Sequence, residues 1–248
     1  LLFQKQLSEE TTALIRFIKG HILFCSGLFE EAKIELLHAL ESLKGPDYYS
    51  NRGLINLYLG QCYLYLDDPV SALTYLDEAE YYLPNDIAVI DSKGHSYYEL
   101  EQYDQAIEYL SKGIDIGQCL PSLYTTRARS FFESGKIDKA VADYTKAIFL
   151  DPEGSAIAYN NRGYIYDSYD MPRLALKDYS KAIKINNQDS CALNNRSNLY
   201  ASLGEYALAF DDINKAIKYS PIHAEHYSNR GLLFKNTFEF DLAIQDFS

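Results

Sequence analysis

One residue type recurs along this chain at a nearly constant spacing, and this period constrains the fold more than any other feature. Seven alanines stand 34 or 35 residues apart after a first interval of 40. They are Ala32, Ala72, Ala106, Ala140, Ala175, Ala209 and Ala243. Because alanine makes up roughly 8% of an average protein, seven in register arise by chance on the order of once in 10⁷. A period of this length predicts an array of small units, each packed on its neighbours.

Two further small residues keep the same register. One follows each of the first six alanines by seven residues: Ala39, Ala79, Gly113, Ala147, Ala182 and Ala216. The other precedes each of the seven by twelve residues: Gly20, Gly60, Gly94, Ala128, Gly163, Ser197 and Gly231. Antiparallel helices approach closely only where the facing side chains are small, so each unit is predicted to be a helix pair. Strand-type alternation is absent from the sequence, which predicts an all-α fold.

These positions are where the chain resembles the tetratricopeptide repeat (TPR) family. The family pattern has a small residue in the first helix and an aromatic residue three positions later, followed by alanine, an aromatic or leucine, and alanine in the second helix. The fifth unit matches it with Gly163, Tyr166, Ala175, Tyr179 and Ala182. The resemblance implies a right-handed superhelical solenoid of about seven helix-turn-helix repeats.

The register also sets the repeat boundaries. The repeats are predicted at about 13–46, 53–86, 87–120, 121–154, 156–189, 190–223 and 224–248, with 1–12 as a lead-in helix or linker. Extra residues between repeats 1 and 2 include a Gly45-Pro46 turn, and the next helix is predicted to start near Asp47. Gly60, twelve residues before Ala72, sets the register of repeat 2.

The seventh repeat reaches Ser248 inside its second helix. A solenoid needs a terminal repeat with a polar outer face, and no such cap follows. We therefore expect the native chain to continue beyond this point. An uncapped end would also permit self-association.

The charge of the chain is negative and unevenly distributed. Formal net charge is −12, and residues 1–124 hold 8 basic against 19 acidic side chains. Such a chain is a poor ligand for phosphates, which argues against nucleic acid and anionic membranes as partners. A basic segment of a protein partner would be attracted to the N-terminal half. No paired cysteine spacing, secretory signal or long apolar stretch is visible, so a reducing, cytoplasmic location is expected.

A basic residue just before the small residue of the first helix is matched by an acid sixteen residues later. The pairs are Lys19/Glu35, Arg127/Asp143, Arg162/Asp178, Arg196/Asp212 and Arg230/Asp246. Repeat 2 has apolar Leu59 and Tyr75 there, and repeat 3 has Lys93 with Tyr109. The pattern predicts an ion pair between the two helices of a repeat. We interpret it as structural, at roughly 0–1 kcal/mol for each partly exposed pair.

Asparagine occupies one position in three successive repeats, at Asn161, Asn195 and Asn229, with Thr126 and Ser92 at the same position upstream. Because asparagine is a weak helix former, this recurrence needs a cause. One cause is local bonding to loops or to the next asparagine. The other is recognition of a peptide, since an amide offers both a donor and an acceptor to a backbone.

In the TPR family this position lines the concave face, where it resembles the asparagine ladder of O-linked N-acetylglucosamine transferase. The same pattern implies that the neighbouring positions also face a bound peptide: Thr125, Arg129, Asn160, Tyr164, Asn194, Asn198 and Ser228. The family's chaperone-tail clamp needs further lysines and arginines. Here the nearest frame offers only Arg129, Asn161 and Asn195, so that function is not expected.

Signals for catalysis, cofactors or metals are weak. The five histidines fall at unrelated repeat positions, and the chain has no glycine-rich phosphate loop. The sequence thus favours a non-catalytic scaffold that binds a peptide or partner segment, with no cofactor and no metal. Three alternatives stay open: the recognition arm of a larger enzyme, a helical-repeat RNA reader, and a purely architectural role.

Overall fold

The computed structural model of the protein describes residues 9–43, 48–117 and 119–248. The chain divides into two compact units, unit 1 at Leu1–Gly135 and unit 2 at Lys136–Ser248. Every regular element in the described ranges is helical, with fourteen α-helices, so the all-α prediction is confirmed. None of these described helices is both long and apolar enough to cross a membrane.

Unit 1 contains three helix pairs and one further helix. Its elements are α1 (Glu9–Cys25), α2 (Phe29–Ser42), α3 (Tyr49–Tyr65), α4 (Pro69–Tyr82), α5 (Ile87–Glu99), α6 (Tyr103–Asp115) and α7 (Pro121–Glu133). The first helix begins at Glu9, four residues before the predicted start of repeat 1. The predicted turn at Gly45-Pro46 and the helix start near Asp47 lie outside the described residues.

Unit 2 begins with one helix and continues with three pairs. Its elements are α8 (Ile137–Leu150), α9 (Ala156–Ser168), α10 (Pro172–Ile185), α11 (Ser190–Ser202), α12 (Tyr206–Tyr219), α13 (Ala224–Asn236) and α14 (Phe240–Phe247). Throughout the chain the odd-numbered helices are the first helices of repeats, called A below, and the even-numbered ones are the second, called B.

Close packing inside each pair depends on the small residues found in the sequence. A Cβ atom on Gly60 would lie 2.6 Å from Leu76 Cγ and 3.2 Å from the Ala72 carbonyl oxygen. A Cβ on Gly163 would lie 2.9 Å from the Tyr179 ring. A side chain at Gly60 or Gly163 would force its neighbours to move, so glycine permits the close approach of these helices. Repeats 4 and 6 have the small residues Ala128 and Ser197 at the same position. Gly60 packs where the register of repeat 2 predicts.

The turn from helix A to helix B has one left-handed residue in every repeat. Glycine fills it at Gly27 (φ 76°), Gly135 (φ 72°) and Gly204 (φ 79°). Other residues fill it elsewhere: Asp67, Glu101, Asp170 and Phe238, with φ between 55° and 65°. A side chain in this region costs about 1–2 kcal/mol, so four turns retain strain that three avoid.

Candidate functional site

The predicted site residues lie on A helices, seven of them in unit 2. Asn160, Asn161 and Tyr164 are on α9, Asn194, Asn195 and Asn198 on α11, and Asn229 on α13. We call this set the amide face. Thr126 and Arg129 are on α7 in unit 1 and are described separately.

The asparagines of the amide face bond diagonally from one repeat to the next. Asn195 Nδ2 donates to Asn160 Oδ1 at 3.0 Å, and Asn229 Nδ2 donates to Asn194 Oδ1 at 2.8 Å. Both bonds join residues 35 apart, that is, the first asparagine of one repeat with the second of the next. Inter-helix amide bonds of this kind fix the orientation of each side chain.

Asn194 is the most buried member, with 2% of its surface exposed. Its Nδ2 donates to Glu225 Oε1 at 3.3 Å, so the acceptor and donor atoms of its amide both have partners. Asn160 is half-buried and donates to Asn161 Oδ1 at 3.4 Å. Asn160 and Asn194 therefore hold their neighbours and have little polar surface left for a ligand.

Polar atoms remain available on the other asparagines. Within the described residues no protein group bonds Nδ2 of Asn161, or Oδ1 of Asn195 and Asn229. Asn198 and Tyr164 are exposed, Tyr164 to 48%. Besides the exposed Asn198, the amide face thus presents the free Nδ2 of Asn161 and the free Oδ1 atoms of Asn195 and Asn229. The diagonal bonds fix the last two side chains, and the bond from Asn160 orients Asn161.

In unit 1 the corresponding surface has a different composition. Thr126 is buried at 9% exposure. The Arg129 guanidinium lies 4.0 Å from the centre of the Tyr98 ring and 3.8 Å from Glu99 Oε1. Glu99 in turn contacts His95 Nε2 at 3.1 Å. Arg129 is thus fixed by an aromatic face and a carboxylate, which is a typical arginine environment.

The predicted ion pairs of unit 2 are present and are more buried than the sequence indicated. Nε and Nη2 of Arg162 donate to the two oxygens of Asp178 at 2.7 and 2.9 Å. Arg196 with Asp212 and Arg230 with Asp246 repeat this bidentate geometry. The carboxylates are 2–7% exposed, so the estimate for partly exposed pairs does not apply to them.

Each of these arginines makes a third contact that the sequence reading missed. Nη1 donates to a hydroxyl or amide oxygen on the preceding helix B, at 2.9–3.0 Å. The acceptors are Thr145 for Arg162, Ser180 for Arg196 and Asn214 for Arg230. Arg127 makes the same contact with Ser111 in unit 1. The recurring polar residue 16 or 17 positions before each arginine is the signal that could have revealed it.

Outside the three bidentate pairs of unit 2, the predicted pair positions hold other kinds of contact. Lys19 Nζ lies 2.6 Å from Glu35 Oε1 as predicted, with the lysine side chain 60% exposed. Its hydrogen bond lowers the Glu35 pKa. In repeat 2, where both positions are apolar, Tyr75 stacks on Tyr63 at 5.2 Å. Arg127 and Asp143 belong to different units, and their pairing stays a prediction.

Lys93 is a buried cation with partners on two helices. Its Nζ contacts Asp77 Oδ1 and Glu80 Oε2, both at 2.7 Å, and donates to Tyr109 Oη at 3.0 Å. Burial lowers the pKa of Lys93, but these hydrogen bonds outweigh it and the net pKa is raised. Lys93 therefore remains charged and replaces the arginine of other repeats.

The structure offers no obvious metal centre in the part of the chain it describes. No group of three or more His, Cys, Asp or Glu side chains is positioned to hold an ion there. His226 is 3% exposed, its ring lies 5.4 Å from that of His223, and neither ring nitrogen has a hydrogen-bond partner among the described residues. Burial lowers its pKa, with a smaller contribution from His223.

Paired helices with small contact residues and a polar A-helix surface define a helical-repeat protein. Three family models match the chain. Two are described as "Tetratricopeptide repeat", one matching residues 156–189 and the other 89–116 and 192–223. The third, "TPR repeat", matches residues 128–167. The chain belongs to the tetratricopeptide repeat family, as its sequence pattern predicts.

Several curated proteins are similar over part of the chain. RNA polymerase II-associated protein 3 of Mus musculus is 34% identical over 97 residues, 39% of this chain and 14% of that protein. Hsp70-Hsp90 organizing protein 3 of Arabidopsis thaliana is 23% identical over 74% of this chain and 28% of its own length. The chain spans less than a third of these relatives.

Solved structures are similar in fold. PilF of Pseudomonas aeruginosa superposes with a TM-score of 0.70 at 16% identity, covering 80% of this chain and 90% of that one. A tetratricopeptide repeat protein from Parabacteroides merdae gives 0.70 at 18% identity, covering 95% and 90%. These superpositions, at 16% and 18% sequence identity, confirm the TPR solenoid fold.

Proposed function

We propose that this protein is a non-catalytic interaction scaffold whose amide face binds an extended peptide segment of a partner protein. The observation that carries the proposal is the set of unbonded amide atoms on Asn161, Asn195 and Asn229 in the described structure. The diagonal bonds hold Asn195 and Asn229, and a 3.4 Å bond from Asn160 orients Asn161. Membership of the TPR family supports it. So do relatives whose names describe an organizing protein and an RNA polymerase II-associated protein.

The spacing of the amide face suits an extended backbone. Packed helices lie about 8–10 Å apart, and an extended peptide rises about 3.3 Å per residue. One asparagine per repeat would therefore meet every third residue of the peptide. Oδ1 of Asn195 and Asn229 would accept from peptide N–H groups, and Nδ2 of Asn161 would donate to a carbonyl oxygen.

The remaining predicted residues take supporting roles in this proposal. Asn160 and Asn194 orient the contacting asparagines, while Asn198 and Tyr164 flank the peptide. In unit 1, Arg129 would offer a cation and Thr126 would shape the surface beneath.

The partner is expected to be a protein, with nucleic acid and membranes disfavoured. Residues 1–135 hold 10 basic and 20 acidic side chains, so unit 1 would attract a basic segment of the partner. We propose a cytoplasmic location, and the RNA polymerase II-associated relatives make the nucleus the alternative.

A second candidate is the recognition arm of a larger protein or enzyme. The small share of each relative that the chain spans favours it. In that case the amide face would select a substrate segment for chemistry performed elsewhere. Both candidates use the same surface, and the sequence of the full-length protein separates them.

The test uses a peptide selected on the wild-type protein from a random phage-displayed library, measured by titration calorimetry. Asn161→Ala removes a free amide group and only one long internal bond, so its effect on folding should be small. We expect binding to weaken by about 0.5–1.5 kcal/mol, the net contribution of one hydrogen bond. Changing Asn161, Asn195 and Asn229 together should weaken it by several kcal/mol.

Asn187→Ala is the matched control, since Asn187 is exposed in the turn after α10 and away from the amide face. It should leave affinity unchanged. If the triple variant stays folded and binds the selected peptide at full strength, the proposed site is wrong and an architectural role becomes the better explanation.

A further inference from the structure

The first helix carries an apolar surface that no described residue covers. Ile15, Ile18 and Ile22 follow one another at helical spacing along α1 and are 48%, 57% and 59% exposed. We call these three residues the α1 stripe. Isolated exposed apolar residues are common, but three in line on one helix mark a possible interaction surface.

The positions of Ile15 and Ile22 are buried in every later repeat. At the position of Ile15 the chain has Ile55, Val89, Leu123, Ala158, Ala192 and His226, each at most 3% exposed. At the position of Ile22 it has Cys62, Ser96, Ser130, Ile165, Leu199 and Leu233, each at most 2% exposed. The molecule therefore contains six internal examples of how this surface is filled.

In the six later repeats, helix B of the preceding repeat covers the positions that correspond to Ile15 and Ile22. Ile55 and Cys62 share one core cluster with Leu36 and Ala39 of α2 and with Leu43, which directly follows that helix. Leu123 of α7 reaches within 3.4 Å of the Cβ position of Gly113 on α6. The element that fits this surface is thus an amphipathic helix with a large apolar residue and a small one three positions later.

The positive charge of Lys19 indicates that the helix covering the α1 stripe carries acidic residues. Lys19 lies between members of the α1 stripe and is 60% exposed. Its equivalent in repeat 3, Lys93, binds Asp77 and Glu80 of the preceding helix α4. The arginines at this position in later repeats also bond the preceding helix B, as Arg196 does with Ser180. Among the described residues Lys19 pairs with Glu35 of its own repeat, and its exposed side chain can also reach an acid of a partner.

We propose that the α1 stripe docks an acidic amphipathic helix of a partner protein, seated as a helix B is seated at the six internal junctions. The helix presents a large apolar residue, a small residue three later and a leucine four after that, as Leu76, Ala79 and Leu83 do. Its acids contact Lys19. This helix-in-groove mode uses the positions of Ile15 and Ile22, which the amide face does not use, whereas Ile18 lies at the repeat position of Asn161, Asn195 and Asn229. The proposal does not depend on the proposed function.

The protein itself supplies a probe. A synthetic peptide of residues 67–83 contains α4, its acids, and Asp68, whose side chain caps the helix by accepting from the Ser71 N–H. The cap matters because a helix of this length is only marginally stable alone. Fluorescence anisotropy of the labelled peptide with the whole 248-residue chain measures docking.

Variants distinguish the α1 stripe from other surfaces. Ile15→Lys with Ile22→Lys should weaken peptide binding at least about tenfold because the apolar contact is lost at the two positions that the preceding helix B covers in later repeats. Ile157→Lys is the matched control, since Ile157 is 61% exposed on α9, and it should have no effect. Lys19→Glu should weaken binding several-fold at low ionic strength, with the difference shrinking in about 1 M salt.

Three results would overturn the proposal. The peptide may fail to bind the wild-type chain, or bind the double variant as tightly as wild type, or bind no better than a peptide carrying Leu76→Lys. Sedimentation velocity of the protein alone adds a fourth outcome. A dimer that the double variant abolishes would assign the α1 stripe to a second copy of this chain instead.

Discussion

Both units pack helix pairs through small residues, but they differ in the polar side chains that join the helices. In unit 2 the A helices α9, α11 and α13 each carry an arginine that donates hydrogen bonds to a buried aspartate and to the preceding helix B. In unit 1 the equivalent position holds an exposed lysine pair, an apolar pair, the buried Lys93 cluster, and Arg127, which bonds Ser111 of the preceding helix B. The comparison teaches that small contact residues are sufficient for the repeat geometry, whereas the polar positions around them can vary.

The largest difference between the units should appear when one acid of an ion pair is removed. Asp178→Ala leaves Arg162 buried without its partner, and we expect a loss of about 3–5 kcal/mol in the free energy of unfolding. Glu35→Ala removes an acid whose lysine is exposed, so a loss of about 0–1 kcal/mol is expected. Urea denaturation with hydrogen exchange, which resolves the units, measures both. Equal losses would show that burial does not distinguish the two pairs.

An asparagine change should have the next largest effect. Asn229→Ala leaves the Asn194 carbonyl oxygen buried and without its donor, which costs about 1–3 kcal/mol. Asn161→Ala removes only one long bond and should change stability little. Thermal melts of the two variants provide the comparison. If Asn229→Ala melts like wild type, the diagonal bonds do not fix the amide face.

The left-handed turns predict a smaller effect whose sign depends on the residue in the turn, since each unit has turns with glycine and turns with another residue. Glu101→Gly in unit 1 relieves a strained residue and should stabilise by up to about 1 kcal/mol. Gly204→Ala in unit 2 introduces the same strain and should destabilise by about 1 kcal/mol. Chemical denaturation of each variant tests the pair. A destabilised Glu101→Gly would mean that the glutamate side chain contributes more than its backbone strain costs.

Acid pH should weaken unit 2 through His226. Burial lowers its folded-state pKa, so between that value and about 6.5 the unfolded chain binds more protons than the folded one. Stability therefore falls as pH drops below about 6.5. Hydrogen exchange at pH 5 and 7 compares the units, and His226→Ala should reduce the pH dependence.

Sequence reasoning predicted the features that recur with the period. The small residues predicted the helix pairs, and the matched charges predicted Lys19 with Glu35 and the bidentate pairs of unit 2. It named bonding to the next asparagine as one of two explanations of the recurring asparagines, and the diagonal bonds are of that kind. It missed two contacts whose partners belong to neighbouring repeats: the third arginine contact and the acids around Lys93. Such contacts depend on how successive repeats are stacked, and a residue's position within one repeat does not specify that geometry.

The most direct test of the central proposal observes the asparagine side chains themselves. Side-chain amide resonances of the ¹⁵N-labelled protein can be followed by NMR as the selected peptide is added. We predict that the signals of Asn161, Asn195 and Asn229 shift and saturate together with the binding isotherm, while that of Asn187 does not move. Saturable binding that leaves these three signals in place would contradict a peptide held on the amide face.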